Sequence, residues 1–485
     1  DLPRIAEFAF DSNRKRMTTL HQAATAPAPL NAPVLAAVKG SPDGLLALAT
    51  HVLDHDRIVP LTAESRERFI RLNDQMAGEG IRVLGVAFRR LDAAPAGEDP
   101  AAVETDLVFC GLAGLQDPPR EEVRAAIASS HAAGIRTIMI TGDHPLTAAA
   151  IARHLNLAPA GKEPRVIAGP ELADLSDREL EEQAPHVTVF ARVSPRDKLR
   201  IVTALQRSGQ IVAMTGDGVN DSPALKRAEI GVAMGITGTD VAKESSEMVL
   251  LDDNFATIVA AVEEGRTIYD NLVRFIKYSF GGNLGKVLVM MLAPLAGIGI
   301  MALRPLHLLW LNLLTDGLMG LGLGLECPEP DVMSRPPRKP DAPILDGGAI
   351  VHVAWMGAFI SLAALLLAGG WNHLCPDRGA QWQTVLFSAI GFAQIGQAWG
   401  LRALSARPFR FGPNPALLGL TLLTLALQLG VMYIPPLARA FKLQALPGEA
   451  LAATAALGLF TSAVVHLERR WGAARAAATH PESAP

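Results

Sequence analysis

The sequence predicts a multidomain protein in two parts, a soluble α/β head followed by an all-α membrane block. Two patterns point there. Short apolar runs alternate with amphipathic stretches from about 106 to 235, and six long apolar runs crowd into 275–467. At 485 residues the chain is longer than one domain. Its apolar residues, 49% of the total, are unevenly placed, and charges run throughout residues 1–270.

The head is read first. Strand-like runs occur at Leu107–Leu112, Ile135–Ile140, Val187–Phe190, Ile211–Met214 and Ile230–Ala233, with helical stretches such as Pro119–Ala133 and Pro195–Ser208 between them. Strands separated by helices build βαβ units and a parallel sheet. Ligands on such sheets bind outside the carboxyl ends of the strands.

Spanning a bilayer takes about 20 mainly apolar residues per helix. Six segments qualify: about 275–302, 306–325, 348–370, 382–401, 414–434 and 447–467. The loops between them are asymmetric in charge. Arg335, Arg338 and Lys339 follow the second segment, Arg402, Arg407 and Arg410 the fourth, and Arg469, Arg470 and Arg475 the sixth. The opposite loops hold only Arg304, then Arg378, then Arg439 and Lys442. Positive charge marks the cytoplasmic side, so the even-numbered ends are expected there together with the head. Buried helices of a soluble protein mimic one such run, but not six with a consistent bias.

Composition excludes other classes. A net charge of −4 with no basic stripe argues against a nucleic-acid partner. Cys110, Cys327 and Cys375 are far apart and form neither a disulfide framework nor a metal motif. No signal peptide opens the chain at Asp1.

Polar motifs fall at the predicted strand ends. Ile138–Ile140 runs into Thr141, Gly142 and Asp143, and Ile211–Met214 runs into Thr215-Gly216-Asp217-Gly218-Val219-Asn220-Asp221. A glycine beside a hydroxyl or carboxylate lets backbone N–H groups approach a phosphate oxygen. Asp217 and Asp221 are hard oxygen ligands suited to Mg²⁺. Lys198, opening a helix after Arg192-Val193-Ser194-Pro195, can neutralise a transferring phosphoryl group. One Thr-Gly-Asp alone reads as an ordinary strand-to-helix turn. Two such turns with a spaced lysine and GDGxND favour phosphate chemistry.

Polar side chains inside membrane helices are costly and usually mark ion paths. Asn312, Thr315 and Asp316 stand at i, i+3 and i+4, hence on one face. Asn283 and Lys286 share a face of the first segment, where Gly281 and Gly285 let another helix approach closely. Gln394 and Gln397 share a face of the fourth and either complete a polar cluster or bond neighbouring helices.

The string GDGVNDSPALKRAEIGVAMG, with TGD at 141–143 and DPPR at 117–120, resembles the P-type ATPases and their haloacid dehalogenase-like fold over nearly the whole chain. The resemblance implies three domains. They are the C-terminal part of an α+β nucleotide-binding domain (1–105), the C-terminal part of a parallel α/β phosphorylation domain (106–265), and a stalk with a six-helix transmembrane bundle (266–485). It implies that Thr141, Gly142 and Lys198 contact a phosphoryl group carried by an aspartate. Asp217 would hold Mg²⁺, Asn220 and Asp221 would orient the site, and Asp143 and Arg192 would lie nearby. Phe10-Asp11-Ser12-Asn13-Arg14-Lys15-Arg16-Met17 and Val38-Lys39-Gly40-Ser41-Pro42-Asp43 resemble the family's nucleotide strings. Phe10 would stack on adenine, with Lys15, Lys39, Gly40 and Arg82 at the ATP. Without the resemblance, Phe10 reads as core and the lysines as a solvated face.

Trp310-Leu311-Asn312-Leu313-Leu314-Thr315-Asp316-Gly317, followed by Arg335-Pro336-Pro337-Arg338, is similar to the calcium-pump-like branch. That branch implies cation ligands at Asn283, Asn312, Thr315, Asp316 and Gln394. Lys286 departs from the pattern, since the reticulum calcium pump has glutamate there. Either Lys286 pairs with Asp316 as an internal counter-ion, leaving at most one divalent cation per cycle, or the cargo differs and protons are exchanged.

The family's DKTG and TGES strings do not occur. In the family the DKTG strand lies centrally in the phosphorylation-domain sheet, so a sheet lacking its middle strand is expected. Also expected are a missing N-terminal half and no ATP turnover by these residues alone. The whole protein is expected to pump a cation through an aspartyl-phosphate, most simply in a bacterial cytoplasmic membrane. The rivals are a membrane-tethered phosphatase-like hydrolase and a non-catalytic remnant of a pump.

Overall fold

The computed structural model describes residues 2–11, 14–94, 99–115, 120–159, 161–299, 301–375, 381–403 and 413–479. Ser12, Asn13, Asp117, Pro118, Pro119, Arg378, Arg407 and Arg410 lie outside the described residues. The chain divides into two compact units, Asp1–Val259 and Ala260–Pro485.

The first unit opens with seven strands: β1 (Arg4–Asp11), β2 (Arg16–Ala23), β3 (Ala32–Gly40), β4 (Ala49–Asp54), β5 (Arg57–Pro60), β6 (Arg82–Leu91) and β7 (Leu107–Leu115). They form one mixed sheet in the order β1-β2-β3-β6-β7-β4-β5. The ladders are antiparallel except β4 with β7. Val38, Leu45, Leu46, Ala87, Leu107 and Phe109 close one core against it. Period-two burial in β2, where Thr18 and Leu20 point inward, is the mark of a sheet covered on one face.

Leu107–Leu112 is therefore not the opening strand of a parallel series, as its sequence suggests. It belongs to β7, paired from Arg82↔Leu115 to Phe88↔Val108 with β6. An apolar run buried on both faces looks the same in either kind of sheet. The β6 ladder, not the local pattern, decides.

The next strands are β8 (Met139–Ile140), β9 (Val166–Ala168), β10 (Val189–Ala191), β11 (Ala213–Gly216), β12 (Ile230–Met234) and β13 (Met248–Leu250). They are parallel, as expected, and among the described residues they make two three-stranded sheets, β8-β10-β9 and β11-β12-β13. Among the described residues β8 and β11 each have a strand neighbour on one side only. Both border one apolar cluster, because Ile140 and Val212 pack against Val202, Met214 and Leu225. The helix Pro195–Arg207 starts at a reciprocal cap between Ser194 and Asp197 and buries Ile201, Val202, Ala204 and Leu205.

Each of the six apolar runs carries a helix, although the first, expected to reach about 302, leaves it at Leu295. A 41-residue helix, Phe255–Leu295, passes unbroken through Arg266–Tyr278 into the first of them. Among the described residues, four helices are long and apolar enough to cross a membrane: Pro305–Gly324, Gly347–Leu374, Pro415–Tyr433 and Gly448–Gly472. The other two runs carry Asn283 and Lys286, or Gln383, Gln394 and Gln397. The Gln381–Gly400 helix is buried on every side, so its neighbours, not lipid, receive its polar groups. Glycines set the spacing. A Cβ on Gly396 would lie 1.9 Å from the Gly458 carbonyl oxygen, and one on Gly285 3.3 Å from that of Gly357. The Gly285 approach is the small-residue contact its spacing predicts.

Candidate functional site

At the end of β11 the chain turns through Gly216–Gly218 into a single 3₁₀ turn, Val219–Asp221. The turn swings Asp221 back under the strand end, where it is 5% exposed. Its Oδ2 accepts from the Asp217 N–H (3.3 Å) and the Gly218 N–H (3.4 Å), and its Oδ1 from Lys198 Nζ. Gly216 is required here, because a Cβ would fall 2.6 Å from Asp221 Cβ. The Ser194–Asp197 cap starts the lysine's helix at the right place: Asp197 Oδ2 accepts from the Ser194 N–H at 2.8 Å.

Both Asp221 oxygens are thus engaged, whereas Asp217 and Asn220 are exposed. Asp217's carboxylate has no side-chain hydrogen bond among the described residues. A Mg²⁺ site needs few protein carboxylates beside water and phosphate. Asp217 fits that demand with its carboxylate exposed, and Asp221 anchors Lys198. No cluster of three or more His, Cys, Asp or Glu occurs among the described residues.

The second turn lies at the end of β8. Thr141 Oγ1 accepts from the Asp143 N–H at 3.1 Å, and Gly142 is exposed with open space where a Cβ would be. Arg192 crosses beside it with φ +53°, donating its N–H to the Asp143 carbonyl at 3.1 Å. Two ion pairs join this region to β6 and to the short helix Pro42–Leu48 that follows β3. Arg82 Nε stands 3.6 Å from Asp143 Oδ1, and Arg192 Nη2 3.0 Å from Asp43 Oδ2. Burial works against ionisation of Asp43, yet Arg192 and nearby N–H groups outweigh it and hold the carboxyl below its ordinary value. Burial, and then Arg192, pushes His144 downward.

Of the predicted nucleotide residues, Phe10 is 63% exposed, which excludes the core reading. Lys15 and Lys39 are exposed too, while Gly40 is buried. A Cβ on Gly40 would lie 2.7 Å from the Lys15 carbonyl oxygen, which accepts from the Ser41 N–H at 3.0 Å. The two basic strings therefore meet.

In the second unit, Asp316 and Lys286 are 6% and 3% exposed. Lys286 Nζ lies 2.6 Å from Asp316 Oδ2 and 2.5 Å from Asn312 Oδ1. Asp316 Oδ1 accepts from Gln394 Nε2 at 2.6 Å and from the Tyr278 hydroxyl at 3.4 Å. Thr315 is fully buried, and its hydroxyl and the Gln394 side-chain Oε1 have no hydrogen-bond partner among the described residues. Gln397 turns elsewhere, its Nε2 3.5 Å from the Lys277 carbonyl oxygen.

Asn283 does not join them. It is exposed and donates to Ser279 Oγ at 3.4 Å. The buried stripe of its helix runs through Tyr278, Gly282, Lys286, Val289 and Ala293. Asn283 is one residue past that stripe, about 100° around the helix from Gly282.

Three parts of the cluster escaped sequence reasoning. Leu311–Thr315 is a π-helical turn, a geometry common at functional sites, and nothing in its residues announces it. Tyr278, eight residues before Lys286, was legible from the helical stripe. Gly282 makes room for Gln394: a Cβ there would lie 2.5 Å from the amide nitrogen.

Known proteins place the chain. Residues 1–122 match the family model described as P-type ATPase, cytoplasmic domain N, which takes in β7. Residues 300–471 match that of the cation transporting ATPase C-terminus. The chain is 42% identical to a calcium-transporting ATPase of Bacillus subtilis (strain 168), over 92% of this chain and 49% of that protein. It is 40% identical to calcium-transporting ATPase 1 of Bacillus cereus, over 91% and 50%. Against the probable cation-transporting ATPase F of Mycobacterium bovis it is 38% identical over 91% and 48%. The chain spans about half the length of these relatives. With apolar helices that make it a membrane protein, it belongs to the P-type ATPase family, in its calcium-pump-like branch.

Proposed function

We propose that these residues form the nucleotide-handling and ion-binding part of an ATP-driven pump that moves a divalent cation, calcium by preference, through an aspartyl-phosphate intermediate. One observation carries the reading. A single chain holds both the Lys198–Asp221–Asp217 constellation and an ion pair, Lys286–Asp316, buried among apolar helices.

In this reading residues 1–115 bind ATP. Phe10 meets the base, Lys15 and Lys39 flank the nucleotide, and Arg82 reaches the phosphates. The following residues form a haloacid dehalogenase-like domain whose open edges, β8 and β11, receive a strand bearing the phosphorylated aspartate. Thr141, Gly142 and Lys198 hold the transferring group, and Asn220 and Asp143 orient it. Mg²⁺ at Asp217 would supply charge neutralisation. Six helices span a bacterial cytoplasmic membrane. Lys286 serves as a resident counter-ion, so Asp316 with Asn312, Thr315 and Gln394 binds at most one divalent cation per cycle. The DKTG-bearing residues come from an N-terminal half, without which no phosphoenzyme forms.

Phosphate labelling of membranes containing the longer protein, with and without calcium, tests this. Calcium-dependent acylphosphate is expected. Calcium-independent hydrolysis would indicate a tethered hydrolase, and neither signal a non-catalytic protein.

A further inference from the structure

Glu104 is 1% exposed, yet it lies outside every motif considered so far. It sits just before β7, some ninety positions from the basic turn between β1 and β2. Its Oε1 accepts from Arg14 Nη1 at 2.5 Å and from the Thr18 hydroxyl at 2.7 Å, and its Oε2 from Arg16 Nε at 2.6 Å. A carboxylate taken from water is tolerated only when paired and hydrogen-bonded, and this one is both. Burial opposes its ionisation, but Arg14, Thr18 and Arg16 outweigh that and keep the carboxyl below its ordinary range.

Arg14, Lys15 and Arg16 are three consecutive cations, and they are treated differently. Arg14 is further tied by its N–H to Asp11 Oδ1 at 2.8 Å and by Nη2 to the Ala9 carbonyl at 3.0 Å. Arg16 Nη1 donates to the Arg14 carbonyl at 3.0 Å. Lys15, between them, has φ +52°, a conformation uncommon for a residue with a Cβ. Its N–H donates to the Asp11 carbonyl at 2.7 Å, its carbonyl accepts from the Ser41 N–H, and Gly40 leaves space for that carbonyl and for Arg16. The Lys15 side chain is exposed and has no hydrogen bond or ion pair among the described residues.

We infer that Glu104 is a positioning residue of the nucleotide face: by engaging Arg14 and Arg16 it leaves Lys15 as the one cation of these three that, among the described residues, is left unpaired for an anionic phosphate ligand. The inference rests on the proposed nucleotide reading of Lys15. A bystander that only packs the sheet would not act through Lys15, and that difference is measurable.

ATP affinity is measured by calorimetry on the 485-residue chain in detergent, for wild type, Lys15→Ala, Glu104→Gln, Glu104→Asp and the double variant Lys15→Ala/Glu104→Gln. Losing one charge-assisted hydrogen bond weakens binding about tenfold or more. Lys15→Ala and Glu104→Gln are each expected to do so, and the double variant to be no weaker than the weaker single. Glu104→Asp, one methylene short of reaching both arginines, should fall between. Glu104→Gln binding ATP like wild type, or losses that multiply in the double variant, overturns the inference while leaving Lys15 at the nucleotide. Unchanged affinity in Lys15→Ala removes the nucleotide reading of this turn and the inference with it. Should Glu104→Gln not fold, Glu104→Asp decides: wild-type affinity there refutes the role.

Discussion

Replacing Lys286 by Met removes the ammonium but keeps an unbranched chain of similar reach. Asp316, 6% exposed, would retain only Gln394 and Tyr278 as donors to Oδ1, and its Oδ2 would lose the contact at 2.6 Å. Breaking a buried pair by deleting one partner costs about 3–5 kcal/mol, because the remaining charge is left desolvated. Removing the second charge as well, in Lys286→Met/Asp316→Asn, should recover most of that loss, since a buried pair and a neutral replacement are often nearly equal in stability. Thermal or denaturant unfolding of the purified chain in detergent, followed by tryptophan fluorescence, reads both steps. Calcium adds a third. With Lys286 gone, Asp316 is free to take a cation, and a ligand at a hundred times its dissociation constant stabilises by about 2.7 kcal/mol. Calcium should therefore raise the midpoint of Lys286→Met more than that of wild type. A single variant losing less than about 1 kcal/mol, with a double variant no more stable than the single, would refute the buried-pair argument. It would mean that Lys286 reaches water in solution.

Two further outcomes follow from geometry and charge. Gly396→Ala puts a methyl 1.9 Å from a backbone oxygen of Gly458, so the two helices must separate. A loss of about 1–3 kcal/mol or more is expected, against no change for Gly419→Ala, where a Cβ meets nothing within 4 Å; equal midpoints for the two variants contradict the close approach. The Asp43 carboxyl lies below its ordinary 3.8 despite burial, because Arg192 favours the charged form. A depressed pKa contributes stability that is fully present above the unfolded value and is lost as pH falls through the folded one. The difference in thermal midpoint between wild type and Asp43→Asn should hold steady above pH 3.8 and shrink below it. A difference unchanged on acidification speaks against the Asp43–Arg192 pair.

Local chemistry made much of the site legible. Glycine beside a carboxylate at a strand end, and a polar triplet at helical spacing, have few uses, so 141–143, 215–221 and Asn312/Thr315/Asp316 stood out. Asp316 in an apolar helix needs a partner, and Lys286 was the available cation. Where two readings share one pattern, the sequence was silent. Asn283 and Lys286 are three residues apart, which puts them on nearby faces, but only the packing of neighbouring helices decides which is covered.

What the sequence alone determined is the inventory and its spacing: apolar runs long enough for a bilayer, alternating runs that make parallel strands, and glycine- and aspartate-bearing turns where strands stop. Those follow from backbone geometry and the hydrophobic effect, which act within a segment. Tertiary structure decided the pairings between distant segments. It sent β7 to β6 instead of to the parallel strands, seated Asp221 on Lys198, turned Leu311–Thr315 into a π turn, and set Glu104 on Arg14 and Arg16. Each is a contest among partners far apart in the chain, and no local pattern carries the identity of the winner.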